Sequence, residues 1–261
     1  TGDREAIPDY VNESLRIAGL AHVLAISGLH MALVGGFLFA AARLGLALIP
    51  PLALRKPIKK WAAVAGLIGS AAYLLLSGAS ISTQRAFIMI SLMFIAILLD
   101  RPALSLRVVA VAAAIILLVT PESLLHAGFQ MSFAAVIGLV AFYEWRRDRK
   151  LSEPWAPVER APHWHVLHRT WIYVAGIAVT TIVAELAVGP FAIFHFNRVA
   201  AYGLIANLLA MPLVGVVIMP AAVATFLLLP FGLEASGLAA MGWGVDRLVA
   251  IAAMVYGLQG W

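Results

Sequence analysis

A short polar cluster interrupts an apolar run near the beginning of the chain. His22, Ser27 and His30 lie within residues 21–31, and the sequence is apolar again as far as Ile49. On a helix, Ser27 and His30 share one face, and His22 lies a little over two turns before His30. A serine with a histidine in reach suits nucleophilic catalysis, whereas the three side chains together suit a polar seam. Because polar groups are costly in a membrane-embedded stretch, a functional role is the first hypothesis.

A second cluster occupies residues 77–85 and contains Ser80, Gln84 and Arg85. A guanidinium group matches the geometry of phosphate, so this cluster favours an anion-binding patch at the mouth of a path. An arginine at the end of a span also commonly extends towards lipid headgroups, and the sequence leaves both interpretations open.

Further polar residues fall within later apolar stretches: Gln130 and Ser132, then Glu185, then Asn207 beside Pro212. An intramembrane carboxylate is protonated, paired or hydrated. We therefore expect an interior partner for Glu185, such as Arg85 or a histidine. The alternative is a position close to the membrane interface with a structural partner.

Metal and nucleotide chemistry find little support. Three histidines lie within 163–168. The surrounding segment is rich in proline and basic residues, and the only acidic residue close to the histidines is Glu159. Zinc sites need a fixed ligand spacing and an ordered second shell, so we expect no metal site and no cofactor. Paired catalytic carboxylates and a phosphate-binding glycine loop are absent from the sequence, so coupling to ATP is not expected within this chain.

Composition excludes a soluble enzyme as the leading interpretation. Of 261 residues, 63% are hydrophobic and 12% are charged, and the mean hydropathy is +0.96. Soluble domains contain roughly 45–50% apolar residues. The absence of cysteine removes disulfides and thiolate ligands from consideration. The net charge of +5 is explained by basic cytoplasmic loops, which are typical of membrane proteins. We prefer this explanation to the alternative that the excess of lysine and arginine binds nucleic acid.

The apolar blocks predict an all-α polytopic membrane protein with about eight transmembrane helices, some of them broken or kinked. A break is expected at Ser27-Gly28, and Pro212 and Pro220 are expected to disrupt the seventh span. The predicted spans are 20–49, 62–79, 85–99, 103–120, 127–143, 172–194, 201–229 and 236–256.

Loop charge predicts the orientation of these spans. Residues 50–60, 100–107 and 144–171 are rich in lysine or arginine, whereas the connections at 78–84, 121–126 and 195–200 carry at most one basic residue each. By the positive-inside rule these three loops face the cytoplasm, and both chain ends lie outside it. Residues 1–261 are thus expected to form one transmembrane domain that includes a cytoplasmic loop at 144–171.

Several ordered motifs resemble the ComEC family of bacterial competence proteins over nearly the whole chain. The motifs are Gly2-Asp3-Arg4, the run 19–30 that ends in Ser27-Gly28-Leu29-His30, the run 76–80 with Gln84-Arg85-Ala86, the run 128–133 and the run 206–213. This resemblance implies an inner-membrane channel that conducts single-stranded DNA into the cytoplasm during natural transformation. The implied path residues are His22, Ser27, His30, Ser80, Gln84, Arg85, Gln130, Ser132, Glu185 and Asn207.

The resemblance also implies partners. These are single-stranded DNA, the lipid bilayer, an outer DNA receptor, and a cytosolic helicase or translocase that supplies the driving force. Family members carry flanking OB-like and metallo-β-lactamase-like domains, and neither is found in this sequence, so no nuclease and no other enzyme activity is expected of this chain. The alternative function is a membrane-embedded hydrolase, similar to an intramembrane serine protease, that uses Ser27. A small-molecule transporter is a third and less favoured possibility.

Overall fold

The computed structural model describes residues 8–24, 28–152, 165–197 and 202–258. These residues form helices and their connections, with no strand among them, as expected for an all-α membrane protein. The helices are α1 (Asp9–Ile17), α2 (Ala21–Leu24), α3 (Gly28–Ala47), α4 (Pro50–Arg55), α5 (Ile58–Leu76), α6 (Ile81–Leu98), α7 (Leu106–Val119), α8 (Ala127–Ser152), α9 (His165–Phe196), α10 (Gly203–Leu213), α11 (Met219–Leu228) and α12 (Glu234–Leu258).

Seven helical stretches in the described ranges are long and apolar enough to cross a membrane. The shorter apolar helix α7 corresponds to the predicted span at 103–120, so the eight predicted spans all have a helical counterpart. Helix α6 begins at Ile81, four residues before the predicted start, because the Ser80 hydroxyl accepts a hydrogen bond from the Thr83 amide at 3.4 Å. Such a cap satisfies one of the free amides at a helix start and draws the polar residues Gln84 and Arg85 into the helix.

The described chain divides into two compact units, and the first is built from Val23–Lys150. In this unit α3, α5 and α6 pack closely because Gly35 and Gly66 face each other across the helix contact. The Phe94 ring fills the space that side chains would occupy: a Cβ on Gly35 would lie 3.2 Å from it. Small residues at such positions let helix backbones approach.

A second apolar cluster joins α6, α7 and α8 within the same unit. Phe129 and Phe133 of α8 are 5% and 4% exposed, and their ring centroids are 4.4 Å apart. They pack with Ala112 and Ile116 of α7 and against Met89 of α6. This cluster holds the beginning of α8 beside the beginning of α6.

The helices of the first unit alternate in direction because short connections join them. As a result α3, α6 and α8 run parallel and begin at the same end, which we call the Arg85 end. The opposite end carries Arg55, Lys60 and Arg101, and we call it the basic end. There the Lys60 Nζ lies 2.6 Å from the Asp100 carboxylate, which links the beginning of α5 to the end of α6.

The second unit comprises Arg4–His22 and Leu151–Trp261. Helix α1 is amphipathic and packs on α12, with Val11 and Leu15 as its buried residues. Between α10 and α11 the helix widens into a π-helical segment, Val214–Ile218. Pro220 explains this segment, because its ring would clash with the Val216 carbonyl in a regular α-helix. The predicted interruption of the seventh span is therefore present.

The predicted loop at 144–171 is largely helical where it is described. Helix α8 continues to Ser152 and α9 begins at His165. Five of the seven residues at 144–150 are glutamate, arginine or lysine, which are good helix formers, and the Arg149 guanidinium lies 4.2 Å from the centre of the Trp145 ring one turn earlier. Such a contact between residues four apart supports the helical extension beyond the apolar span.

Candidate functional site

The beginning of α6 concentrates hydroxyl and amide groups. The Ser80 hydroxyl lies 2.7 Å from the Thr83 hydroxyl and 3.0 Å from that of Ser82, in addition to capping the helix. The Gln84 side chain folds back and donates through Nε2 to the Ala79 carbonyl at 2.7 Å. Ser80 and Gln84 are exposed, whereas Thr83 is fully buried. Ser80 therefore orders the turn and also remains accessible.

Arg85 is half-buried and lies against the first turn of α8. A Cβ placed on Gly128 would be 3.1 Å from Nη2 and 3.5 Å from Nη1 of the Arg85 guanidinium. The Arg85 Nε is enclosed and has no hydrogen-bond partner among the described residues. A larger residue at position 128 would thus push the guanidinium out of its place.

Gln130 and Ser132 follow on α8, and both are half-buried. The Gln130 side chain donates through Nε2 to the Leu124 carbonyl at 2.9 Å, which ties α8 to the preceding 3₁₀ turn, Pro121–Leu125. Arg85 and Gln130 are therefore brought to one end of the first unit, where α6 and α8 begin. The intervening Phe129 is buried in the core, where it packs helices together.

His30 belongs to the same unit but lies at a different depth. Its helix contacts α6 where Gly35 meets Phe94. His30 precedes Gly35 by five residues and Arg85 precedes Phe94 by nine. At 1.5 Å per residue on parallel helices, His30 therefore lies about 6 Å further from the Arg85 end than Arg85 does. Ser27 lies outside the described residues.

Three predicted path residues belong to the second unit. The His22 ring donates from Nδ1 to the Gly19 carbonyl oxygen at 2.9 Å. Asn207, in the first turns of α10, has an enclosed Oδ1 that accepts no hydrogen bond from the described residues. Glu185 is exposed on α9, and no ion pair to it occurs within the described ranges. Its expected interior partner stays a prediction.

Electrostatics distinguish the Arg85 end from an ordinary helix packing contact. The first turn of a helix carries a partial positive charge because its amides point outward unpaired. The Arg85 guanidinium is held beside such a turn at Gly128, and no carboxylate forms an ion pair with it in the described part of the chain. A site of this kind is suited to an anion, and the planar fork of arginine fits phosphate oxygens.

No cluster of histidine and acidic residues with metal-binding geometry is found among the described residues. The histidine run at 163–168 falls partly outside them.

Two groups of residues were not identified from the sequence. The sequence did not show that Gly128 leaves room for the Arg85 guanidinium, although Gln130, two residues later, was singled out. Asp246 and Arg247 lie midway along α12, and their signal was plain, since two charges interrupt the predicted span 236–256.

Comparison with known proteins gives three relatives. ComE operon protein 3 of Bacillus subtilis (strain 168) is 27% identical over 229 residues, which is 87% of this chain and 25% of that protein. Competence protein ComA of Neisseria gonorrhoeae is 32% identical over 161 residues, 59% of this chain and 23% of that protein. Uncharacterized protein YcaI of Escherichia coli (strain K12) is 28% identical over 257 residues, 95% of this chain and 32% of that protein.

The chain thus spans a third or less of the length of each of these relatives. No solved structure matches it. The family model described as Competence protein matches residues 1–260. Together with the seven apolar helices, this match identifies a multi-pass membrane protein. The chain belongs to the Competence protein family.

Proposed function

We propose that this chain forms a channel in the bacterial inner membrane that conducts single-stranded DNA into the cytoplasm during natural transformation. One relative is named Competence protein ComA, another is ComE operon protein 3, and the family model is described as Competence protein. The proposal assigns the Arg85 end of the first unit to the entrance of the path. The membrane orientation it requires, with the basic end in the cytoplasm, follows from the positive-inside rule.

The observation that carries this proposal is the placement of Arg85. A half-buried guanidinium lies against the backbone of Gly128 and faces no carboxylate in the described part of the chain. Desolvating a cation without a partner is costly, and the cost is recovered when an anion arrives. The backbone of DNA supplies one phosphate per nucleotide, so each nucleotide in turn presents the anion for which the site is suited.

The neighbouring side chains fit a ligand of any base sequence. Ser80 and Gln84 are exposed beside Arg85, and their hydroxyl and amide groups hydrogen-bond phosphate or base edges without selecting one base. Non-selective binding of single strands relies on backbone charge and on sequence-tolerant contacts. Uptake of arbitrary DNA requires that tolerance.

The proposal treats the chain as a conduit and not as an enzyme. Its energy is supplied by a partner, such as a cytosolic helicase or translocase, and an outer DNA receptor delivers the strand. Flanking OB-like and nuclease-like domains of the kind that the resemblance implies would act on the DNA before or after passage. The hydrolase alternative needs a histidine next to Ser27, and no observation in the described residues favours it.

Substitution of Arg85 tests the proposal. We expect Arg85→Gln to lower transformation frequency by about tenfold or more, because a charge-assisted contact contributes roughly twice a neutral one. Arg85→Lys keeps the charge but loses the planar fork, so it should retain intermediate uptake. The matched control is Arg107→Gln, an exposed arginine at the basic end. Normal transformation by Arg85→Gln, at an unchanged amount of protein in the membrane, would refute the assignment.

A further inference from the structure

The short helix α4 lies between two membrane spans. The spans are His30–Ala47 in α3 and Ile58–Leu76 in α5, and residues 48–57 connect them. This connection belongs to the basic end of the first unit, where α3 finishes and α5 begins. Because α4 packs against α3 at the end of the span, it lies at the boundary between hydrocarbon and water.

Prolines determine where α4 begins and ends. The residue before a proline is biased away from the helical conformation. Accordingly the backbone is extended at Ile49, which precedes Pro50, and again at Lys56, which precedes Pro57. The two bends separate α4 from both spans, so this helix does not simply continue either of them.

Large aliphatic side chains of the connection are exposed although they lie outside the two spans. Leu48 is 83% exposed and Leu54 is 86% exposed. The other side of α4 faces the protein, because Leu52 and Ala53 are half-buried. Exposed leucines just beyond a span are typical of a segment that lies in the membrane interface, where they enter the boundary of the acyl chains.

Basic side chains accompany these leucines. Arg55, Lys56 and Lys59 are exposed, and the connection contains no acidic residue. None of the three forms an ion pair in the described part of the chain. The carboxylate of Asp100, at the same end, is already paired with Lys60. Three positive charges therefore remain uncompensated beside exposed aliphatic groups.

A tryptophan indicates the depth of these charges. Trp61 is exposed in the first turn of α5. Tryptophan side chains are enriched at the level of the lipid headgroups. Lys59 precedes Trp61 by two residues, which is about 3 Å along the helix, and Lys56 comes before α5 begins. Both lysines thus lie at or just beyond the depth at which lipid phosphates are found.

We propose that α4 and the beginning of α5 bind anionic phospholipid headgroups. We call this surface the α4 lipid site. Leu48 and Leu54 enter the boundary of the acyl chains, and Arg55, Lys56 and Lys59 contact the lipid phosphates. Basic residues next to the end of a span attract anionic lipid, and each of them strengthens the attraction about fivefold.

The combination of aliphatic and basic groups favours anionic lipid over the other occupants. A DNA strand would neutralise the three charges, but it has no apolar part that covers Leu48 and Leu54. A zwitterionic lipid would cover the leucines, but it has no net charge to offset the cations. An anionic phospholipid satisfies both requirements. The inference does not rest on the proposed channel function.

Fluorescence quenching in liposomes of mainly phosphatidylcholine tests the α4 lipid site. The chain has no cysteine, so Leu54→Cys is labelled specifically with bimane, an apolar fluorophore. Phosphatidylglycerol and phosphatidylcholine, each with a nitroxide near the headgroup, are compared as quenchers at the same mole fraction. We expect phosphatidylglycerol to quench about threefold more strongly, because the cations enrich it locally. A label at Leu118→Cys, exposed near the opposite end, should be quenched equally by the two lipids.

Charge variants of the labelled protein identify the residues responsible. The triple variant Arg55→Gln, Lys56→Gln and Lys59→Gln should lose the preference for phosphatidylglycerol. Its quenching by phosphatidylcholine should persist, because the apolar residues still enter the interface. The matched control is the double variant Arg101→Gln and Arg107→Gln, which removes two exposed cations from the same end. This control should keep the preference.

Three results would overturn the proposal. One is equal quenching by the two lipids at Leu54→Cys without charge substitutions, and another is a preference that survives the triple substitution. The third is weak quenching by both lipids, since α4 would then lie in water. If there is no lipid preference and the triple variant instead loses binding of a fluorescent single-stranded oligonucleotide, the cations belong to a nucleic-acid site and the proposal is wrong.

Discussion

The Arg85 guanidinium lies beside Gly128, with Nη2 only 3.1 Å from the place that a Cβ would take. Three features of the sequence produce this contact. The Ser80 cap starts α6 early enough to include Arg85 in the helix. The cluster around Phe129 and Phe133 fixes the beginning of α8 beside it. Glycine at 128 then leaves room for the guanidinium.

Gly128→Leu should displace Arg85 without changing its charge. We expect transformation to fall about tenfold, as for Arg85→Gln. A displaced guanidinium loses its oriented charge-assisted hydrogen bond to phosphate just as a removed one does. Gly128→Ala should have a smaller effect, since the neighbouring atoms are the end of a flexible side chain. Gly45→Leu is the control, because nothing lies within 4 Å of a Cβ there. Transformation frequency and membrane content are measured together; equal uptake by all three variants would contradict the assigned role of the contact.

Gly66→Ala should destabilise the first unit. The new Cβ would lie 2.5 Å from the Phe94 ring and 3.0 Å from the Gly35 carbonyl oxygen, which belongs to the backbone. Overpacking of this kind costs about 1–3 kcal/mol. Thermal unfolding in detergent measures the change.

The control for Gly66→Ala is Gly36→Ala, where a Cβ meets nothing within 4 Å. It should be neutral or slightly stabilising, because alanine restricts the unfolded chain more than glycine does. If both variants unfold at the temperature of the parent protein, α3 and α5 are not packed as closely as the structure has them.

Ser27→Ala separates the channel from the hydrolase alternative. As one of several path residues, Ser27 should contribute a partial effect, and we expect transformation to fall by less than about tenfold, the effect of one neutral hydrogen bond. A nucleophile would give complete loss, together with covalent labelling of the parent protein by a serine-directed probe. Labelling that disappears in Ser27→Ala would favour the hydrolase.

Much of the fold could be predicted because apolar blocks of membrane length and the charges between them are local properties of the sequence. The start of α6 was predicted four residues too late. The prediction followed the apolar residues, whereas the Ser80 cap determines where the helix begins. The helical extension into 144–152 was missed for a related reason: helix propensity and the Arg149–Trp145 contact outweigh polarity there.

The site was predicted in part. Ser80, Gln84, Arg85 and Gln130 were singled out from their types, and the structure brings them to one end of the first unit. Gly128 was missed because its role depends on a neighbour 43 positions earlier in the sequence. Contacts between distant segments are not visible in local pattern. Asp246 was missed although a charged residue inside an apolar span is easily seen. The span at 236–256 was identified from its average hydropathy, which a single acidic residue changes little.

Crosslinking to DNA in transit tests the central claim most directly. DNA with a bulky block at its trailing end is allowed to enter cells and stall, and it carries thiol-reactive groups on its backbone. Gln84→Cys, beside Arg85, should crosslink to the stalled strand. Leu118 lies near the same end on α7, and its side chain is 84% exposed. Leu118→Cys should not react, because position 118 is on the side of α7 opposite Ile116, which packs towards α8. Crosslinking at Leu118→Cys alone, or equally at both positions, would contradict a DNA path at the Arg85 end.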